Sequence, residues 1–398
     1  MKIIMLSTDR RIFEDSSAVR ARMLDYGALF SELHIIVFAK RFNNYDLRFG
    51  EPEGKRIAPN VFVYSTDSRN RWFFIFDAIR IGRRIIRRWR PSKITGYLRV
   101  SDIVVTAQDP FETGVAGFLI AKFAKAGLQI QIHTDFTGER FSKESVLNKI
   151  RVYLAKFIIP RARAVRVVSD ELAEAIKSFG VPAEKIQVLP IFIDAKSITS
   201  AKPTFNLKKR YPQFRFIILA AGRLEGEKRF DVALDVLAKV IKKYPFTGLV
   251  IVGDGSKRLS LAEKALSLGL DNNVIFEPWQ DGIISHLKTA NVLLLTSEYE
   301  GYGLVLIEAG LAGCPIVSSN VGIAGKLGRN DAALICEFGD ISCFASAVIS
   351  IIENNEAREL IRARAKAFIE EFLFSKRKYL IEFKKGMEAA LASKHQDI

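Results

Sequence analysis

A chain of 398 residues is too long for a single ordinary core and is read as two domains. Its 49% hydrophobic and 26% charged residues exclude a disordered or low-complexity protein, and the lack of a charge-free apolar run of about 18 residues argues against a membrane-spanning helix. The formal charge of +16 is uneven: 33 basic and 21 acidic residues fall in the first 200, so an acidic partner is expected there, although charge gives that partner's sign and not its identity.

The N-terminus, MKIIMLSTDRR, lacks the pattern of a secretory signal and runs directly into a strand, so no export is expected. Short β-rich runs then alternate with amphipathic stretches: KIIML, HIIVFA, VFVY, DIVVTA, QIQIH, AVRVVS and IQVLP. The polar segment SITSAKPTFNLKKRYPQF interrupts that rhythm, and RFIILAAG, GLVIVG, NVIFE, NVLLLTS, CPIVSS and AALICE restart it. Beyond Asp340 the pattern is helical to the end. Strands separated by helices make parallel sheets, so the expected fold is α/β with two Rossmann-like doubly wound domains facing a cleft. Residues 1–200 form the first domain, 201–375 the second, and 376–398 a helix expected to pack back on the first. Ligands of such sheets lie beyond the carboxyl ends of the strands. Cys314, Cys336 and Cys343 show no CxxC spacing and no clustered histidines, so neither a disulfide framework nor a zinc site is expected, in keeping with a reducing cytoplasm.

Residues 69–93, RNRWFFIFDAIRIGRRIIRRWRPSK, carry nine basic residues against Asp77 alone, interleaved with aromatic and aliphatic side chains. This is a candidate basic amphipathic helix for an anionic membrane surface; equally, its apolar face can belong to the first domain's core. No RNP, KH, zinc or helix-turn-helix signature accompanies it, so nucleic acid is an unlikely partner.

Two segments of the second half carry chemistry. In AAGRLEGEKRFDVAL, after strand RFIILA, Arg223 and Lys228 can converge on a diphosphate, or can be a solvated basic loop. In SEYEGYGLVLIEAGLAG, after strand NVLLLT, Gly301 and Gly303 allow close backbone approach to a ligand, and the free amides near Gly303 and Leu304 favour an anion. Glu300 sits in the loop and Glu308 inside the helix, where the pair can accept hydrogen bonds from sugar and ribose hydroxyls; alternatively Glu308 is an ordinary early-helix residue favoured by the macrodipole.

Together, GRLEGEK, IVGDG at 251–255 and EGYGLVLIE resemble family 4 of the retaining GT-B glycosyltransferases, most specifically in two glutamates separated by seven residues. The resemblance spans most of the chain. It implies that Arg223 and Lys228 bind the donor diphosphate with the amides of Tyr302 to Val305, that Glu300 contacts the transferred sugar, and that Glu308 contacts the ribose. It implies retention of anomeric configuration and no metal requirement, with the nucleotide-sugar a co-substrate and no cofactor. EPWQDG would lie near the nucleobase, but it departs from the commoner glycine-containing version. In the first half, QDPFETGVAGFLIAKF resembles the family's cleft segment, and a histidine at the position of His133 contacts the donor sugar near the reacting carbon. Asp109 and Asp135 are candidates for acceptor hydroxyls or for helix capping. Where many relatives have a Gly-Gly loop, this chain has STDRRIFEDSSAVRARM, leaving Arg10, Arg11 and Ser17 as acceptor-side candidates.

The expected function is therefore transfer of a sugar from a nucleotide-diphosphate donor to a glycan or lipid-linked acceptor, in the cytoplasm or peripherally on the cytoplasmic membrane face. The alternatives are a GT-B sugar-nucleotide epimerase, a phosphorylase-like transferase and a noncatalytic membrane- or RNA-binding scaffold. A nicotinamide dehydrogenase is disfavoured because neither half carries GxGxxG after its first strand.

Overall fold

Strands made of continuous Val, Ile and Leu are stable only where both faces of the sheet are covered, and this is how the chain uses them. The computed structural model describes residues 1–40, 54–89, 102–280 and 282–391. The chain divides into two compact units, Met1–Ile191 together with the chain from Lys376, and Phe192–Ser375.

The first unit contains β1 (Lys2–Ser7), β2 (Glu32–Val37), β3 (Lys55–Ala58), β4 (Val61–Ser65), β5 (Ile103–Ala107), β6 (Gly127–Ile132), β7 (Ala164–Val167) and β8 (Ile186–Val188). Among the described residues its sheet runs β3-β4-β2-β1-β5-β6-β7-β8, and every pairing is parallel except β3 with β4. All residues of β5, β6 and β7 are buried. Sequence reading missed β3, whose KRIA is short, half-exposed and basic; such residues suit an edge, where they discourage pairing with another chain.

The second unit contains β9 (Phe216–Ala221), β10 (Thr247–Val252), β11 (Val274–Glu277), β12 (Val292–Leu295), β13 (Ile316–Ser319) and β14 (Leu334–Cys336), in the all-parallel order β11-β10-β9-β12-β13-β14. Its core fills the space between the sheet and helix Phe230–Val240, with Ile218, Leu234, Leu237, Leu249 and Ile251 all sealed from solvent. In each sheet the chain first builds to one side and then returns to the other, so the order reverses between β1 and β5 and between β9 and β12. Crevices at such reversals are where doubly wound sheets hold ligands.

The change of unit falls at Ile191, earlier than the polar segment suggests. Residues read as the end of the first domain form helix Ala195–Ser200, which is tied to the second unit: Lys288 Nζ donates to the Thr199 and Ala201 carbonyl oxygens at 2.8 and 2.6 Å. Helix Lys376–Leu391 packs against β5, β6 and β7 of the first unit, with the Phe383 and Tyr26 rings stacked 3.9 Å apart. Buried Arg166 joins it there, donating to Tyr379 Oη at 2.8 Å and to the Leu189 and Pro190 carbonyl oxygens at 3.0 and 2.8 Å.

One expectation is corrected: Cys336 and Cys343 form a disulfide. Cys336 ends β14, Gly339 turns the chain at φ +81°, and Asp340 caps helix Ile341–Glu353 by accepting from the Cys343 amide, which brings the two α-carbons to 5.8 Å. A spacing of seven residues carries no hint of that immediate reversal. The cysteines therefore give no ground for assigning a reducing compartment. Among the described residues no helix is long and apolar enough to cross a membrane.

A Cβ on Gly127 would lie 2.3 Å from the carbonyl oxygen of Ala390, a backbone atom that cannot move aside alone. Gly127→Ala is expected to cost about 1–3 kcal/mol through displacement of the C-terminal helix. The check is a lowered thermal midpoint together with faster hydrogen exchange confined to Lys376–Leu391 and its contacts.

Candidate active site

At the second unit's order reversal, β9 and β12 are hydrogen-bonded neighbours, with Leu219 opposite Leu293. The loop after β9 carries Arg223 and Lys228, and the loop after β12 carries Glu300 and Gly303. These stretches lie 72 residues apart in sequence, yet Lys228 Nζ meets Glu300 Oε1 at 2.5 Å, with both side chains largely buried. Ser297 Oγ donates to the same carboxylate oxygen at 2.9 Å. Thr296 Oγ1 donates to the Arg229 carbonyl oxygen at 2.8 Å, and the Glu298 amide to the Glu227 carbonyl oxygen at the same distance, so side-chain and backbone bonds clamp one loop to the other.

Arg223 is the more exposed cation, its side chain 65% accessible, and it pairs with Glu227 at 2.8 Å. Arg223 and Lys228 thus hold separate carboxylates in this structure. A third loop braces them. A Cβ on Gly253 would sit 1.9 Å from the Gly222 carbonyl oxygen, which accounts for the glycine in IVGDG. The Leu224 amide donates to the Asp254 carbonyl oxygen at 2.9 Å, and Ser256 donates through its amide and hydroxyl to Glu225, whose carboxyl these bonds hold below its ordinary range.

Helix Leu304–Ala312 starts at Gly303, which has φ +81° and provides no side-chain cap. That leaves first-turn amides and the positive end of the helix dipole at the mouth of the loop that carries Glu300. The Ile323 amide donates to the Tyr302 carbonyl oxygen at 3.0 Å, fixing this loop on the one after β13. Glu308 lies one turn inside the helix with no hydrogen-bond partner among the described residues, and burial pushes its carboxyl up to about 7. A buried carboxyl shifted in this way marks a candidate ligand-facing group.

Glu277, in EPWQDG, has no oxygen to spare for a base: Tyr211, Arg210 and His286 lie at 2.7, 3.2 and 2.9 Å from it. Asp281 lies outside the described residues.

In the first unit, His133 follows β6. Its Nδ1 is sealed from solvent without a hydrogen-bond partner among the described residues, and burial, reinforced by the charges of Arg166 and Arg22, pushes the ring down to about 3. The imidazole is therefore neutral at physiological pH, suited to hydrogen bonding and not to ion pairing. The other first-unit candidates are engaged locally. Asp109 accepts from the Phe111 amide at 2.8 Å and is pushed up to about 6 by burial. Asp135 accepts from the Thr137 amide and hydroxyl at 3.0 and 2.7 Å. Ser17 caps helix Ala18–Gly27, Arg11 pairs with Asp9 at 2.9 Å, and Arg10 Nε reaches the Phe38 carbonyl oxygen at 3.5 Å. Turn-making and capping account for the contacts of Asp109, Asp135 and Ser17.

Residues 32–197 match the family described as Glycosyltransferase Family 4, and residues 203–368 that described as Glycosyl transferases group 1. A 2-deoxystreptamine N-acetyl-D-glucosaminyltransferase of Niallia circulans is 30% identical over 265 residues, 63% of this chain and 67% of that protein. This chain belongs to the GT-B glycosyltransferases. An N-acetyl-α-D-glucosaminyl L-malate synthase of Bacillus anthracis is 28% identical over 221 residues, 55% of this family member and 58% of the relative's length. The Anabaena protein HepE, solved in complex with UDP, superposes with a TM-score of 0.72 over 99% of this chain and 100% of its own at 18% identity, a likeness of fold.

Sequence reading named Lys228 and Glu300 separately and missed their contact. It also missed Ser297, Glu225 and Glu227. Nothing in the spacing marks Ser297; Glu225 and Glu227 stand within GRLEGEK, where alternating carboxylates and cations were the available signal.

The Glu308 carboxyl is raised from its ordinary 4.5 to about 7, so the folded state binds more protons than the unfolded state between those values, and stability falls as pH rises through that window. Glu308→Gln is expected to remove this slope, gaining on the wild type in thermal midpoint above pH 7 and not below pH 4.5. Parallel melting curves from pH 4 to 8 check it.

Proposed function

We propose that this family member is a retaining, metal-independent glycosyltransferase that moves a sugar from a nucleoside-diphosphate donor to a glycan or lipid-linked acceptor. The observation that carries the reading is the convergence of the Lys228–Glu300 pair with the uncapped start of helix Leu304–Ala312, which has a partnerless carboxyl, Glu308, one turn inside. Cations and amides suit a diphosphate, and the two glutamates suit hydroxyls at either end of it. The UDP in the similar HepE structure supports a nucleoside diphosphate as leaving group.

In this reading the diphosphate draws Lys228 partly away from Glu300 and takes the exposed guanidinium of Arg223. Glu300, still held by Ser297, accepts from the sugar, and Glu308 accepts from the ribose. The bond between the anomeric carbon and the β-phosphate oxygen breaks, and the acceptor oxygen bonds to that carbon on the same face. The acceptor proton passes to the leaving phosphate. Positive charge on Arg223 and Lys228 stabilises the diphosphate as its charge grows, which is the difference between ground and transition states that accelerates transfer. These side chains and helix amides fill the part a divalent cation plays elsewhere. The family resemblance supports a hydrogen-bonding role toward the sugar for His133, whose imidazole is neutral. Retention is supported by the resemblance in the glutamate pair, and a lipid-linked acceptor would hold the enzyme peripherally on a membrane.

Calorimetric titration of nucleoside diphosphates into the wild type, Arg223→Ala, Lys228→Ala and the double variant tests the diphosphate role. Each single loss is expected to weaken binding by about 1.5–3 kcal/mol, with a nonadditive double variant. Unchanged affinity in both folded single variants would remove the diphosphate role. Glu300→Ala is expected to depress turnover more than donor affinity, and Glu308→Ala the reverse, in a transfer assay that also reads the product's anomeric configuration.

A further inference from the structure

Helix Val146–Ile158 has two apolar faces. One is buried through Ala155 and Ile158. The other faces solvent: Val146, Ile150, Tyr153 and Phe157, spaced four, three and four residues apart, are 73, 50, 74 and 49% exposed. Packing within the first unit leaves most of this stripe open to solvent.

Helix Phe74–Trp89 repeats the arrangement with charge added. Phe74, Ala78, Ile81, Ile85 and Trp89 are buried, so this much of the amphipathic stretch belongs to the core. Trp72, in the turn before it, and Phe76, in its first turn, stand out at 82 and 69% exposure. Further along the same outer face Arg80, Arg83, Arg84 and Arg87 surround a depression of about 460 Å³.

Both helices pack on helix Glu112–Ala124. That middle helix makes the two faces continuous: Phe118 meets Phe157 edge to face at 6.0 Å, the Arg83 guanidinium lies 4.5 Å over Phe123, and Leu119 is exposed between them. Arg161 lies 3.8 Å over Phe157 at the far end. The acidic groups on these helices are engaged, Asp77 by Ser68 and Arg80, and Glu112 by Arg151.

We propose that these three helices form a docking face for an anionic lipid surface, with Trp72, Phe76, Ile150, Tyr153 and Phe157 entering the headgroup boundary and the arginines binding lipid phosphates. Aromatic residues favour that boundary, and clustered cations are drawn to it. Charge complementarity selects this occupant: a second copy would bring a second arginine cluster against the first, and nucleic acid would leave the aliphatic stripe of Val146–Ile158 uncovered. The inference extends the peripheral location proposed above to a second helix, and only its purpose rests on the lipid-linked acceptor.

The test uses the full chain with phosphatidylcholine vesicles, with and without about a third phosphatidylglycerol. Binding is expected only to the anionic vesicles, weakened by salt, with a blue shift in emission that is absent from Trp72→Phe. Ile150→Ser/Tyr153→Ser and Arg83→Glu/Arg87→Glu are each expected to weaken binding about tenfold or more. Thermal midpoint and nucleoside-diphosphate affinity should stay unchanged. No binding to anionic vesicles, undiminished binding by both variants, or self-association that either variant abolishes would overturn the proposal. Nucleoside-diphosphate affinity, read on the same samples, reports separately on the donor site.

Discussion

The candidate site depends on the ion pair between Lys228 and Glu300. Both side chains are largely withdrawn from water, a state that is unfavourable for either charge alone. Each holds the other in the loop where it is wanted, and Ser297 satisfies the carboxylate further. The pair exists because β9 and β12 are neighbours across the reversal of strand order, which brings the two loops to one edge of the sheet. The Ser297 hydroxyl keeps Glu300 supplied with a second donor besides Lys228.

Backbone geometry supports this arrangement as much as side chains do. Gly253 lets the loop after β10 close on the Gly222 carbonyl, and Gly303 takes a left-handed conformation that starts a helix without a side chain over its first amides. In the first unit a buried guanidinium has a comparable fixing role. Arg166 draws Gln131, the Leu189–Pro190 carbonyls and Tyr379 of the C-terminal helix to one point, with no carboxylate partner among the described residues. The same charge, with that of Arg22, adds to the burial that holds the His133 ring below its ordinary range.

The sequence by itself determined the strand succession, because continuous Val-Ile-Leu runs between amphipathic stretches have few other uses, and it marked Arg223, Lys228, Glu300, Gly303 and Glu308 through motif chemistry. It left open whether Glu308 was an ordinary helix residue; burial without a partner gives that carboxyl its distinct character. It left open whether Asp109 and Asp135 cap neighbouring helices; they accept from amides of their own turns instead, and the helices that follow have no side-chain cap. The edge strand β3, the Cys336–Cys343 disulfide, the unit change at Ile191 and the Lys228–Glu300 contact were decided only by tertiary structure. The physical reason is common to them. Periodicity reports which face of an element meets apolar surroundings, whereas edge position, chain reversal and contacts between residues 72 apart depend on which elements become neighbours, and only the packed sheet sets that.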